Sequence, residues 1–360
     1  MRDAAWGAVP TVRCRVPLRL SFGGGGTDVA PYSTERGGVV LSATIAQYVL
    51  ATVSARPGHE VAVHSLDYRT SSTFSIHGDP LYDGNLDLVK AVVHRIDPSW
   101  RRGLSVSLES ATAPGSGLGA SSAIVVAALL AVARLLGVHL EPAQAARIAY
   151  RVERRDLGIA GGYQDQWSAA HGGLNWMEFG PGDTVRVEPV SVAADTLSEL
   201  ECRLLLWHVG RTHVSGGILA QQIRNYSEGR LDTTRALDTA KAIARDLRRA
   251  LVRGDLDEFG ALLHEGWTAK RRFADGVSDE GIDEIYATAR AAGALGGKVV
   301  GAGGGGFLLL YVPDACKLGV LEALERFPGR RGLPPRFDFG GPCTWWASGS
   351  TAAAAPAFLA

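Results

Sequence analysis

One glycine loop, set between two segments of different period, constrains this chain more than any other feature. Leu104-Ser-Val-Ser-Leu108 alternates apolar and polar residues, as a half-buried strand does. Ala123 to Leu136 is an apolar stretch long enough for a buried helix. Between them lies Pro114-Gly115-Ser116-Gly117-Leu118-Gly119-Ala120-Ser121-Ser122-Ala123. Glycines let the backbone turn tightly and bring its N–H groups close to an anion. The helix that follows directs its unpaired N–H groups and positive dipole end at the same place. Ser121 and Ser122 add hydroxyls able to hydrogen-bond a phosphate or ligate Mg²⁺. The plainer reading is a flexible turn with Ser121 or Ser122 as helix N-cap. It is not a Walker A loop, because Gly-Lys-Ser/Thr does not occur in the chain.

Glycine is the compositional outlier, 45 of 360 residues, where roughly 7% is usual. The glycines sit beside apolar runs rather than in polar low-complexity tracts, so disorder does not explain them. The length predicts two domains. The 37 basic and 37 acidic residues are scattered, which excludes a nucleic-acid footprint at the level of the whole chain. Cys14, Cys202, Cys316 and Cys343 are far apart without metal-site spacing, which fits a reducing compartment. The longest apolar run, Ala123 to Ala133, is too short to span a bilayer, and Met1-Arg2-Asp3 does not begin a signal peptide. The expectation is a cytoplasmic protein with no membrane or nucleic-acid partner.

A second loop, Arg19-Leu-Ser-Phe-Gly23-Gly24-Gly25-Gly26-Thr27-Asp28, follows an apolar strand and suggests backbone pressed against a polyhydroxyl ligand. Its plainer reading is a hairpin turn with Asp28 as an N-cap. A third constellation joins Glu153 to Gly161-Gly162-Tyr163-Gln164-Asp165-Gln166, so that one carboxylate could hold Mg²⁺ and the other face a substrate. Residues 115–120 and 301–306 also match dinucleotide fingerprints. The order of elements after each is wrong for a Rossmann unit.

From Val12 to about Phe179 strand-like and helix-like stretches alternate, with Val39 to Val53 and Val61 to Val63 as strands and a helix from Glu141-Pro142 to about Arg155. The aperiodic stretch Pro181 to Leu200 is read as the domain boundary. Beyond it come a strand at 203–209 and a helix face of Leu237, Ala240, Ala244, Leu247 and Leu251 ending at Gly254. Next come a capping box at Asp255-x-x-Glu258, a helix marked by Ile282, Ile285, Tyr286 and Ala289, and strand, glycine turn and strand over 299–312. The predicted division is 1–190, 191–350 and a flexible tail 351–360.

These motifs, taken in order, resemble the small-molecule kinases named after galactokinase, homoserine kinase, mevalonate kinase and phosphomevalonate kinase (GHMP kinases). Residues 114–123 look like that family's ATP-phosphate loop, and Val299-Val-Gly-Ala-Gly-Gly-Gly-Gly-Phe307 looks like its C-terminal glycine motif. Residues 16–28 and 161–166, with Trp267-x-x-Lys270 and Gly293 to Lys298, are most similar to the D-glycero-D-manno-heptose 7-phosphate kinases within it. The resemblance implies a two-domain α+β fold, with an N-terminal ribosomal-protein-S5-like domain and a C-terminal ferredoxin-like domain. It implies ATP and Mg²⁺ as cofactors and phosphorylation of the anomeric hydroxyl of a small-molecule sugar phosphate, with the oligomeric state left open.

Residue by residue, the resemblance makes Asp165 the catalytic aspartate and Arg19 its partner, and gives the metal to Glu153 and Ser121, with Ser122 close enough to exchange. Pro114 to Ser122 would hold the nucleotide. Asp28 would accept a sugar hydroxyl, and Gly24, Gly25, Thr27, Gly162, Tyr163, Gly303 and Gly304 would line the acceptor. Two positions depart from the pattern: Ala120 replaces a usual serine, and Tyr163 stands where heptose phosphate kinases often have lysine. The second departure leaves room for a related anomeric kinase, such as an L-fucokinase or a galactokinase-like enzyme. A phosphate already on the acceptor needs cations, and Arg211, Lys270, Arg271 and Lys298 are candidates, with Thr212 and Ser215 as hydroxyl donors. Readings from other classes are a catalytically silent ATP and sugar sensor and a nicotinamide oxidoreductase.

Overall fold

The computed structural model describes residues 9–77, 81–95, 102–113, 115–210, 216–332 and 334–347. Pro114, Arg211, Thr212, Ser215 and the tail 351–360 lie outside the described residues. β1 (Thr11–Gly23) leads through a glycine turn and α1 (Tyr32–Arg36) into β2 (Gly38–Arg56), the hairpin β3 (Glu60–Ser65) and β4 (Thr70–Ser75), α2 (Asp87–Val93) and β5 (Gly103–Ser110). Helices α3 (Ala120–Leu135), α4 (Pro142–Arg151) and α5 (Gln164–His171) come next, then the hairpin β6 (Leu174–Gly180) and β7 (Thr184–Pro189). The remaining elements are α6 (Ala194–Arg203), β8 (Leu204–His208), α7 (Gly216–Ser227), α8 (Leu231–Arg253), α9 (Leu256–Lys270) and α10 (Glu280–Ala291). They are followed by β9 (Gly296–Val299), β10 (Phe307–Tyr311), α11 (Lys317–Leu324), β11 (Arg330–Arg331) and β12 (Cys343–Trp346).

β2 is the spine of the larger sheet. Its first eight residues are buried throughout, and Gly38 to Ala43 pair with β6, while its later, alternating half pairs with β5. The strand order is β12-β1-β2-β5-β3-β4, with β6 and β7 branching from β2. β1 shifts register against β2 between Pro17 and Leu18, where proline has no N–H to give the ladder. α3 is buried almost all round against β1 and β2, as its unbroken apolar sequence demands. The second sheet, β11-β8-β10-β9, is antiparallel in every pair and carries α10 and α11 on its core.

The helices expected through Leu237–Leu251, after Asp255 and around Ile282–Ala289 are present, over 231–253, 256–270 and 280–291, and Asp255 and Asp279 cap two of them by accepting N–H groups three residues on. Two expectations change. The stretch 181–200, read as an aperiodic boundary, contains β7 and α6; β7 is half-exposed on both faces and so shows little hydrophobic contrast. The end of the chain, assigned with the second half, returns to the first sheet. β12 pairs with β1, and Phe337 bridges to Ile45. That pairing covers an edge of β1 that would otherwise present unpaired backbone groups.

One apolar cluster runs from β1 and β2 into α8 and α9. Phe22 meets Phe259 edge-on at 5.4 Å, and Gly23 lies against Leu247 and Ala244. This packing holds the end of β1, with its glycine turn, against the second half of the molecule.

Candidate active site

The three glycine turns converge on one cavity of about 990 Å³. Loop 115–119 forms its floor, ending in Gly119 as the N-cap of α3, whose first residue is Ala120. The capping role considered for Ser121 or Ser122 is not what the structure shows: no side chain caps α3. The first N–H groups of a long buried helix therefore open towards the cavity, the local condition for anion binding. Gly115, Ser116, Gly117, Gly119, Ala120 and Ser121 line it. Leu118 and Ser122 are buried instead, Leu118 within the apolar core.

Arg19 projects from β1 beneath this loop and is 4% exposed. Its backbone N–H donates to Leu118 O at 3.1 Å and its Nη1 donates to Gly117 O. Its Nε and Nη2 both donate to Asp165 Oδ1, at 2.8 and 2.7 Å. Asp165 sits in the first turn of α5. Because both charged bonds end on Oδ1, Oδ2 is without a partner among the described residues and can accept from a hydroxyl.

Glu153 lies on a π-helical turn, Val152–Asp156, that extends α4, and is 1% exposed. Its Oε2 accepts from Ser122 Oγ at 2.7 Å and from Gln166 Nε2, which also donates to Ser122 Oγ at 3.0 Å. Among the described residues its Oε1 has only Ser121 Oγ at 3.4 Å and Arg154 Nη1 at 3.9 Å. Ser122 and Gln166 thus hold the carboxylate from behind while Oε1 and the exposed Ser121 border the cavity. No group of three or more acidic, histidine or cysteine side chains able to hold a metal occurs among the described residues. One carboxylate and one hydroxyl suit Mg²⁺, which takes hard oxygen ligands and completes its shell with water and substrate phosphate.

The first glycine turn faces the cavity from the other side. Gly24 takes φ +80°, and a methyl there would sit 1.9 Å from Val39 O, so only glycine fits. Gly25 and Asp28 line the cavity. Asp28 is fully buried and accepts from Gly26 N at 2.9 Å, Gln164 N at 3.0 Å and Gln164 Nε2 at 3.2 Å. Burial raises its carboxyl above the usual range, against the pull of these backbone bonds. Asp28 therefore ties the turn to the start of α5, and so helps to place Asp165.

Several expected acceptor contacts are elsewhere. Thr27 is buried and spends its hydroxyl on Gly24 O, Val39 O and Val39 N–H, which holds the turn to β2. Gly24 and Gly304 are outside the cavity lining, whereas Gly162 and Gly303 are in it. Tyr163 is turned away: its ring stacks on Tyr150 at 4.2 Å and its hydroxyl donates to Asp183. A tyrosine there changes the edge of the core, and its side chain makes no acceptor contact. Arg271 pairs with Asp283 at 3.1 Å outside the cavity. Residues passed over in the sequence reading also matter. Gln164 and Gln166 were visible in the glycine–aspartate motif, but nothing local showed that they grip Asp28 and Glu153.

Lys270 lines the cavity and is 6% exposed; its Nζ donates to Val299 O at 3.0 Å and Gly301 O at 2.5 Å. Lys298, equally buried, lies behind with its Nζ on Phe22 O at 3.3 Å. Burial, then repulsion from Lys298 and Arg19, holds the Lys270 amine well below its ordinary range. Burial, then Arg19, pushes Lys298 down to about 7.

The chain matches the family descriptions "GHMP kinases N terminal domain" over residues 87–173 and "GHMP kinases C terminal" over 247–316. It is similar to the D-glycero-alpha-D-manno-heptose 7-phosphate kinase of Campylobacter jejuni, at 35% identity across 89% of this chain and 94% of that one. A bifunctional fucokinase/GDP-fucose pyrophosphorylase of Arabidopsis thaliana is 25% identical over 85% of this chain, which spans 30% of that protein. Among solved structures, a D-glycero-D-manno-heptose 1-phosphate kinase from Bacteroides thetaiotaomicron superposes with a TM-score of 0.75 at 32% identity, covering 93% of this chain and 98% of that one. Both domain descriptions, in the order the motifs require, and near-complete coverage of a kinase at 35% identity lead to one conclusion: the chain belongs to the GHMP kinase family of ATP-dependent phosphotransferases.

Proposed function

We propose that the protein transfers the γ-phosphoryl group of ATP to the anomeric (C1) hydroxyl of a heptose 7-phosphate, D-glycero-D-manno-heptose 7-phosphate being the favoured acceptor. The observation that carries this reading is the Arg19–Asp165 pair lying directly under the uncapped phosphate loop, with Asp165 Oδ2 left to accept. The likeness to heptose phosphate kinases supports the choice of sugar.

The loop 115–121 and the N-terminus of α3 bind the triphosphate through backbone N–H groups. Glu153 Oε1 and Ser121 Oγ are the residues to hold Mg²⁺, with Ser122 and Gln166 orienting the carboxylate. When bound, Mg²⁺ neutralises charge on the β- and γ-phosphates. Asp165 Oδ2 accepts the hydrogen bond of the C1 hydroxyl and directs its oxygen at the γ-phosphorus. The new O–P bond forms as the bond to the β–γ bridging oxygen breaks, the proton passes to Asp165 and ADP leaves. A loose transition state asks for positioning and charge compensation more than prior deprotonation, so an aspartate base is adequate. Arg19 remains cationic throughout and offsets charge on the transferring group. Gly25, Asp28, Gly162 and Gly303 border the acceptor side.

The test is a panel of free and phosphorylated heptoses and hexoses read by ATP consumption, with product position assigned by ³¹P NMR. The expected result is turnover with the heptose 7-phosphate, well above the free heptose. Equal turnover of the free sugar removes the 7-phosphate assignment, and preference for L-fucose installs the second reading, which rests on the fucokinase relative.

A further inference from the structure

We infer that Lys270 is a second catalytic cation, whose ammonium donates to an oxygen of the transferring phosphoryl group while Arg19 compensates it from β1. This rests on the kinase reading and deepens it. Lys270 is the last residue of α9, and its Nζ reaches the carbonyls of Val299 and Gly301 at the start of the third glycine turn. An ammonium carries three N–H donors and no acceptor. Two are spent on carbonyls, and the third has no hydrogen-bond acceptor among the described residues, although the side chain lines the cavity; the Trp267 ring centroid lies 6.0 Å from Nζ. No carboxylate is within ion-pair distance of it among the described residues.

The place of this amine in the fold fixes what it can meet. Gly301 packs against Gly117 of the phosphate loop so closely that a methyl on Gly301 would sit 2.7 Å from Gly117 Cα. Gly117 O is also the acceptor for Arg19 Nη1. Arg19 and Lys270 are thus hung on two turns that touch, one paired with Asp165 and the other unpaired. The Gly117–Gly301 contact sets the amine beside the phosphate loop, on the side from which the transferring phosphoryl group leaves. In a loose transition state its charge spreads over three equatorial oxygens, and a second donor aimed at one of them stabilises that state beyond the ground state. Burying an unpaired ammonium is costly until an anion arrives, so the protein holds the amine in a poor environment that the substrate improves. Lys298, fixed to Phe22 O behind it, adds to that demand for an anion.

The experiment compares wild type with Lys270→Met and Lys270→Arg. It measures kcat, melting temperature, and the affinity for ADP alone and for ADP with aluminium fluoride in the presence of acceptor. Lys270→Met should lose on the order of 10²–10³-fold in kcat, the scale of one transition-state donor, with ADP affinity and melting temperature near wild type. Its preference for the aluminium fluoride complex over ADP should be lost, and Lys270→Arg should recover part of both losses. Retention of kcat in Lys270→Met overturns the assignment. So does an equal loss of affinity for ADP and for the fluoride complex, which is the mark of a merely structural role. Should Lys270→Met fail to fold, Lys270→Gln must show the same selective loss or the assignment falls. Wild-type protein that transfers phosphate to no acceptor overturns the kinase reading itself, whereas active wild type with an unaffected variant overturns only the role of Lys270.

Discussion

Two buried lysines, one lining the cavity and one anchoring a segment that lines it, are treated oppositely by the fold. Lys90, 3% exposed on α2, donates to Asp83 Oδ1 at 2.5 Å, Asp87 Oδ1 at 3.0 Å and Leu81 O at 3.0 Å. Its charge is matched twice, and its three donors are all used. Lys270 donates to two carbonyls and has no carboxylate within ion-pair distance among the described residues. Lys90 organises the segment 81–87, whose Tyr82, Asn85 and Leu86 border the cavity beside β3, β4 and β5, the strands furthest from β1 apart from the β6–β7 branch. Lys270 and Lys298 stand at the β1 end, with Arg19. A buried cation with partners is a finished piece of structure. One without them is completed by what binds.

Removing the base tests the unfinished end most severely. Asp165→Asn keeps the shape but withdraws the one carboxylate that balances Arg19, and kcat should fall by roughly 10²–10⁴-fold with ATP binding retained, as read by stopped-flow turnover and nucleotide titration. Retained turnover would remove Asp165 from the chemistry.

The metal corner comes next. Gln166→Met removes one of the two braces on Glu153 Oε2, leaving Ser122, while sparing Oε1 and Ser121, and should weaken Mg²⁺ affinity by roughly 10–100-fold. A Mg²⁺ titration of ADP binding checks this, and an unchanged midpoint would detach Gln166 from the metal site. At the finished end, Lys90→Met frees two carboxylates to face each other, and the segment 81–87 loses its anchor. The expected result is a KM for ATP higher by roughly ten-fold, about 1.4 kcal/mol, with kcat and the acceptor KM unmoved. A drop in kcat instead would erase the contrast between the two lysines.

The smallest effect is on stability. Lys298 titrates near 7 in the folded protein, against an ordinary value of 10.5, so between these the unfolded chain binds a proton that the folded one has released. Unfolding free energy should therefore rise as pH goes from 7 towards 10, and Lys298→Met should flatten that rise in urea melts. Lys270 contributes in the same direction. A wild-type curve that falls across this window contradicts the burial of unpaired amines.

Much of the site was legible in short stretches of sequence, and the reason is local. A glycine turn between a strand and an apolar helix is written in consecutive residues, and so is the cap at Asp255. Contacts between distant segments left no such trace. Thr27 and Tyr163 sit inside informative motifs, yet their side chains complete the packing of β2 and of an aromatic cluster. Whether a motif residue faces the ligand or the core depends on neighbours from elsewhere in the chain. Arg154, outside every motif singled out from the sequence, donates to Gly162 O at 3.2 Å and lines the cavity.

The sequence by itself determined the three turns, the helix behind the phosphate loop and the acidic residues beside them, because each depends on backbone freedom, period and charge within a few residues. Only the tertiary structure decided that Ser121 faces the cavity while Ser122 braces Glu153, that Asp28 anchors α5, and that Lys270 has no ion-pair partner among the described residues. Those outcomes turn on which groups from distant segments come within hydrogen-bond reach and which are excluded. Partnership of that kind is a property of packed space, and neighbouring letters in the chain do not encode it.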